Sequence, residues 1–488
     1  MEARGLDALP FVRRYAQLPE ALWTRERVTP LDEPWVVAWS DDAARALGLD
    51  GVDRAELVAL FNGQRAAAGV EPIATAYAGH QFGVFVPRLG DGRAVLVAEV
   101  RAPSGETWEL QVKGSGRTAF ARGFDGRAVL RSAVRELLAS EALDALGVPT
   151  TRALCVLGSR TPVRREALET GASLVRLAPT HVRFGTFEYA ARAPTPGLLQ
   201  ALADFVVREA YPELDPAAPD RHRRLLEQVV VRTARLVARW QAVGFTHGVL
   251  NTDNMSISGL TLDYGPFAFV EAYDPGLVVN HSDPTGRYAL DRQPSVGMWN
   301  LAQLARALGP LVPLAEAQAA LELYEAAFFE TYLDLMRQKL GLEGLAGLED
   351  LLEGLFGAMV AGDADYTATL RALGAVDPAT PGSDAAVRAA FRDPRPWDAF
   401  APAYLQRLRA DAVDPAARRA RQDRVNPRYV LRTHLAQRAI ERAEQGDGAE
   451  VARLLAVLRR PFDEQPGAEE YAAPPPPDAP KIELSCSS

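Results

Sequence analysis

Cysteine is almost missing from this 488-residue chain: Cys155 and Cys486 are its only two. That excludes a disulfide framework and a cysteine-based zinc site. Cys155 lies in the apolar run RALCVLG and reads as a buried core thiol, whereas Cys486 stands third from the end, where packing gives it no reason. Lysine is nearly as scarce. Of 54 basic residues only Lys113, Lys339 and Lys481 are lysines, a bias that suggests a G/C-rich coding background. A lysine retained against such a bias hints at a need for a compact ammonium, which a planar guanidinium does not mimic. Apolar runs of the roughly 20 residues that a membrane helix needs are also missing. The start, MEARGLDALPFVRRY, has charges and no apolar core of a secretory signal, so a cytoplasmic protein is expected. A net charge of −9 argues against nucleic acid or an anionic membrane as the main partner.

What is present is ordinary globular composition, 48% hydrophobic and 24% charged, on a length sufficient for two or three cores. SDDAARALGLDG predicts a short helix capped by Ser40 or Asp41 and stopped by Gly48. YAGHQFG (77–83) reads either as a tight turn with a hydrogen-bonded histidine or as a functional segment. RLGDGRAVLVAEV and WELQVKG predict two strands around the loop RAPSGET. On the second, Trp108, Leu110 and Val112 share one face, and Glu109, Gln111 and Lys113 share the other. A Gly- and Arg-rich loop, GSGRTAFARGFDG, precedes a predicted helix with Leu130, Val134, Leu137 and Leu138 at helical spacing and Gly147 as its stop. Another helix is expected over 220–245. NMSISGLTLDYG predicts a hairpin turning at Ser258-Gly259. Past residue 310 the chain reads as helical, with Leu321, Tyr324, Phe328, Tyr332 and Leu335 as a core stripe. Asn426-Pro427 is expected to open a helix, Asn as its cap. The Pro-rich end reads as flexible, or docked only conditionally.

Each chemical motif is weak alone. Gly90-Asp91-Gly92 is an ordinary turn, a lysine at a strand end is usually solvated, and an Asp-Asn pair is more often a cap than a metal site. Their order carries the signal: Gly-rich turn, strand, Lys113, a helix bearing Glu136, then HGVLNTDN, then Asp263-Tyr264-Gly265. That is the order of ATP-handling parts in protein kinases. Gly90 and Gly92 would let backbone approach phosphates, Lys113 would hold phosphate oxygens, and Glu136 would orient Lys113. Asn254 and Asp263 offer the hard oxygen ligands that Mg²⁺ prefers. Where a kinase loop has its catalytic Asp, this chain has Val249.

Taken together, YAGHQFG, PRLGDGRA, QVKGSGRT, DGRAVLRSAVRE, GVPTTRAL, THGVLNTDNM, LDYGPF, NHSDPTGRY and NPRYVLR resemble the selenoprotein O family over nearly the whole chain. Its members are kinase-fold proteins, once classed as pseudokinases and known as protein adenylyltransferases. Cys486 stands where some members carry selenocysteine. The resemblance implies ATP bound inverted relative to kinases, with Gly90, Gly92, Arg93, Lys113, Asp125, Gly126, Arg176 and Arg183 at the nucleotide. It implies Asn254 and Asp263 on Mg²⁺ (or Mn²⁺) and Asp253 as proton acceptor. Many members have a Cys where this chain has Val279, which puts an internal redox pair with Cys486 in doubt.

The expected architecture is α+β, a two-lobed protein-kinase-like fold with an N-terminal extension (1–85) and a helical C-terminal region. The N-lobe covers 86–170, the C-lobe 171–309, the helical region 310–470, and a tail with Cys486 covers 471–488. The expected activity is transfer of AMP from ATP to Ser, Thr or Tyr hydroxyls of proteins, itself included, with pyrophosphate released. Uridylylation with Mn²⁺ stays open. The alternatives are a conventional phosphotransferase, against which Val249 counts, and a non-catalytic ATP-binding scaffold.

Overall fold

The structure is a computed structural model that describes residues 5–165, 167–476 and 482–485; Cys486 lies outside the described residues. Its strands run β1 (Phe11–Val12), β2 (Trp23–Arg25), β3 (Trp35–Trp39), β4 (Ile73–Thr75), β5 (Gly79–Gln81), β6 (Val84–Val86), β7 (Ala94–Arg101), β8 (Thr107–Lys113), β9 (Ala128–Val129), β10 (Arg152–Arg164) and β11 (Leu168–Ala178). An antiparallel sheet of order β2-β4-β7-β8-β11-β10-β3 forms the centre, with β1 added on β7 and β9 on β11. The β5–β6 hairpin stands apart from it, as does a small pair, β12 (Phe245–Thr246) with β13 (Ala268–Phe269).

The period-two pattern of β8 decides which face does what. Leu110 and Val112 join a core with Val95, Val97, Leu154, Val175 and Leu177, sealed by the N-terminal helices α1 (Asp41–Ala46) and α2 (Arg54–Phe61). Ser40 caps α1 as expected, its hydroxyl accepting from Ala43 N. Because that side of the sheet is plugged by apolar side chains, the opposite side carries Glu109, Gln111 and Lys113, with Arg176 on β11 beside them. Helix α3 (Leu130–Ala145) crosses this second side and is buried almost all round, so its Glu136 cannot reach bulk water.

The remaining helices are α4 (Phe184–Ala190), α5 (Leu198–Ala210), α6 (Arg221–Val243), α7 (Gln293–Ala307), α8 (Leu314–Leu340), α9 (Leu348–Ala361), α10 (Tyr366–Ala372), α11 (Ala385–Ala389), α12 (Arg395–Asp411), α13 (Pro415–Gln422), α14 (Thr433–Glu444) and α15 (Ala449–Leu458). The fold is therefore α+β, as the sequence predicts. The long helices α6 and α8 pack together, while α14 and α15 return to cover α3. Tyr324 and Phe328 of the predicted stripe on α8 are buried in the main core. Among the described residues, no helix is long and apolar enough to cross a membrane.

Two local expectations fail for the same reason: the backbone or side chain needed is used elsewhere. Around Ser258-Gly259 the hairpin shrinks to a single bridge, Met255 to Thr261. Its arms bond outward instead, Ile257 N to Val182 O and Thr151 N to Thr261 O, both at 3.0 Å. Asn426 caps nothing. Its Nδ2 donates to Lys339 O at 2.8 Å, residues 429–431 run buried and non-helical, and α14 starts only at Thr433. In the tail, Leu484 is buried and pairs with Asn280, His281 N donating to Leu484 O at 2.7 Å.

Candidate active site

The segments that converge are the end of β8, the middle of α3, the end of β11, and the loops 247–254 and 262–265. Lys113 Nζ donates to Glu136 Oε2 at 2.5 Å and to Asp263 Oδ1 at 3.1 Å. Arg176, buried, donates to the same Asp263 oxygen, to Glu136 Oε1 at 3.3 Å and to Gln111 Oε1. Arg183, also buried, takes the other oxygen of Asp263 and donates to the Asp253 carbonyl at 2.8 Å. Its guanidinium lies 4.7 Å over the Tyr77 ring and 3.9 Å from Asp91 Oδ1. Three cations thus converge on Asp263, with Glu136 and Asp91 also beside them. Asp263 reaches them from a left-handed backbone (φ 56°), which Asp tolerates better than most residues. His247 holds the preceding residue, bonding Leu262 O through Nε2 at 3.0 Å; burial pushes its imidazole down to about 4, so it stays neutral.

Electrostatics separate the two aspartates. Burial alone would push Asp263 up, but Arg176, Arg183 and Lys113 together hold its carboxyl well below the usual range. Asp253 is buried too, and there burial wins: its carboxyl is pushed up to about 6, opposed chiefly by a hydrogen bond from Gln81 Nε2 to Oδ2 at 3.1 Å. Among the described residues, Asp253 Oδ1 has no hydrogen-bond partner, and neither have the Nε–H groups of Arg176 and Arg183. Buried polar atoms left unpaired cost about 1–3 kcal/mol each, so a ligand that pairs them is favoured.

The YAGHQFG segment packs on this site, its histidine hydrogen-bonded through the backbone N–H. It forms the β5–β6 hairpin, which lies on the 251–253 loop. His80 N donates to Thr252 Oγ1 at 2.6 Å, and His80 Nδ1 sits 2.7 Å from Glu188 Oε2. A Cβ on Gly79 would stand 2.7 Å from Asp253 Oδ1, so only glycine lets β5 come this close.

Other expected residues sit differently. Gly90 and Gly92 fold under the loop 114–126, where added Cβ atoms would meet the Phe120 ring at 2.4 Å and the Phe120 carbonyl at 2.9 Å. The Asp91 and Gly92 N–H groups already donate to Thr75 O and Gly90 O, so those two amides are not free to receive a phosphate. The Arg93 side chain has no ion pair among the described residues. Asp125 is held outside the Lys113–Asp263 cluster by Arg165, at 2.7 and 2.9 Å, and Gly126 packs on the Gly116 carbonyl. Asn254 donates from Nδ2 to Val249 O at 2.9 Å, leaving its amide oxygen as the acceptor. Val249 is buried in the main core.

Sequence reasoning assigned no role to Asp91, Gln111, Tyr77 or Gln81. Asp91 is buried and takes Thr75 N, Thr75 Oγ1 and Gln111 Nε2. Gln111 was findable, because alternation on β8 places it on the Lys113 face. Tyr77 and Gln81 lie in the YAGHQFG segment and Asp91 in the Gly90-Asp91-Gly92 turn, but no spacing there singles out these side chains.

The chain is similar to known proteins along its length. The profile of the family described as protein adenylyltransferase SelO matches residues 6–459. Protein nucleotidyltransferase YdiU of Thioalkalivibrio sulfidiphilus is 53% identical over 496 residues, covering 99% of each chain. The protein of the same description from Myxococcus xanthus is 50% identical over 486 residues, and that from Thiobacillus denitrificans 49% over 490, each again covering 99% of both chains.

Proposed function

The chain belongs to the protein adenylyltransferase SelO family, and from that premise we propose that it transfers AMP from ATP to Ser, Thr or Tyr hydroxyls of proteins. The observation that carries this is the buried cluster of Lys113, Arg176 and Arg183, two of them with an unpaired N–H. One unit-charge pair about 4 Å apart is worth on the order of 4 kcal/mol at an effective dielectric of 20. A triphosphate, with several charges, is the natural partner for three such cations. Lys113, oriented by Glu136, and the two arginines would grip the β- and γ-phosphates and stabilise them as they leave as pyrophosphate. Gly90, Gly92, Arg93, Asp125 and Gly126 complete the nucleotide-side wall in this reading, the glycines by admitting the Phe120 loop.

Asp253 then serves as proton acceptor. Its free Oδ1 takes the proton of the acceptor hydroxyl, the hydroxyl oxygen bonds to the α-phosphorus, and the bond from that phosphorus to the bridging oxygen of pyrophosphate breaks. Asn254 and Asp263 supply two oxygen ligands for Mg²⁺ or Mn²⁺. Among the described residues no His, Cys, Asp and Glu cluster makes a closed cage, which suits an ion held partly by phosphate oxygens. When bound, such an ion would neutralise phosphate charge. The same reading casts the sheet with α3 as one lobe of a kinase-like pair and the helices from α4 onward as the other. Val249 leaves a kinase's usual base position apolar, consistent with an inverted nucleotide.

The test uses ATP labelled in turn at the α- and γ-phosphate. Label from the α-position should remain on protein and intact mass should rise by an AMP increment, both lost in Lys113→Ala. A phosphate increment alone would refute the reading.

A further inference from the structure

Against the turn of the β5–β6 hairpin, whose first strand lies on Asp253, sits an arginine without a counter-charge among the described residues. Arg287 Nε is buried and has no hydrogen-bond partner, and its guanidinium pairs with no carboxylate among the described residues. It lies 4.7 Å over the Trp299 ring and beside Tyr288, against Gly83 at the hairpin turn. Of the nearby carboxylates, Asp283 accepts from the backbone N–H groups of Arg287 and Tyr288 at 3.0 and 2.8 Å, and Glu188, whose oxygens form no hydrogen bond among the described residues, lies 2.7 Å from His80 Nδ1.

Around it the surface is apolar and shaped at a cost. Phe82 holds a left-handed backbone (φ 50°) at the turn, a position where Asn or Gly is usual. It is fixed there by its N–H, which reaches Asn251 Oδ1 and Tyr288 Oη at 3.0 Å each. Yet Phe82 is 37% exposed, the neighbouring Val84 69%, and Val278, which packs by Gly286, 40%. A strained turn that holds apolar groups in water, around an uncompensated cation, is explained by something that covers both.

We propose that Arg287, with Phe82, Val84 and Val278, docks the acceptor protein through a segment carrying a carboxylate and an apolar side chain close to the modified hydroxyl. The contact path fits: Gln81 of this hairpin bonds Asp253, and Tyr288, next to Arg287, bonds Asn251 at 2.6 Å. Two hydrogen bonds thus join this surface to the loop that carries Asp253. This inference rests on the transferase reading above.

The test is AMP transfer by the full chain to peptides with one acceptor hydroxyl, flanked by Glu, Gln or Lys in otherwise identical sequences. The Glu peptides should exceed the Gln peptides about tenfold in kcat/KM. Arg287→Gln should erase that preference, and Arg287→Glu should turn it towards Lys, a reversal that a merely structural role would not produce. Thermal stabilisation by ATP should be unchanged in both variants. Transfer with no preference for Glu, a preference that survives Arg287→Gln, or loss of ATP stabilisation would each overturn the docking site alone. Failure to label any protein, this one included, would overturn the transferase reading and the docking site with it.

Discussion

Asp253 and Asp263 share one site but are driven in opposite directions. Asp263 has three cations to offset its burial, while Asp253 has mainly an amide from Gln81. A proton acceptor must be ionised, so AMP transfer should rise as pH climbs through about 6 and level off above 7. Asp253→Asn should flatten that limb and lower kcat by about 10²–10⁴-fold, as read from rate profiles against pH. At this scale the sequence is informative about identity and silent about state. Motif order picks out Lys113, Glu136, Asn254 and Asp263, but a carboxyl's ionisation depends on burial and on arginines distant in the chain.

Among elements, the β5–β6 hairpin matters most to the site because it presses glycine backbone onto Asp253. Gly79→Ala should displace that carboxylate and lower transfer about 100-fold while the melting temperature changes little, since a shift of about 1 Å at a reacting group can cost that much. At the end of α8, Lys339 is buried with Nζ donating to Val425 O at 2.8 Å and to Asn426 Oδ1, neither of them charged. Burial pushes its ammonium down to about 7. The unfolded chain then holds that proton more tightly than the folded one, so stability grows as pH rises from 7 towards the ordinary lysine range. Relative to Lys339→Met, the wild type should gain about 1–2 kcal/mol between pH 7 and 9 in denaturant titrations. Strands β7 and β8 and helices α3, α6 and α8 were legible because their patterns repeat locally. The 255–261 hairpin and the Asn426 cap were not, because remote partners claimed their hydrogen bonds.

Across the whole molecule, one buried carboxylate ties the beginning, middle and end of the chain. Glu141 on α3 takes Arg152 from β10 at 2.8 and 3.1 Å and Arg459, just past α15, at 3.0 and 2.8 Å. Arg459 also reaches Ser40, the cap of α1. Glu141→Ala leaves two guanidiniums short of a partner and should cost on the order of 3 kcal/mol, measurable by urea unfolding. The sequence by itself determined the family, the α+β class, the alternation that puts Lys113 on the polar face of β8, and the chemical types gathered at the site. Those properties are local or follow from motif order. Only the tertiary structure decided that Asp91 joins the cluster, that Asp253 is poised near 6, and that Arg287 sits against the hairpin turn with no ion pair among the described residues. Burial and Coulomb interactions are set by distances through space, and no spacing along the chain contains them.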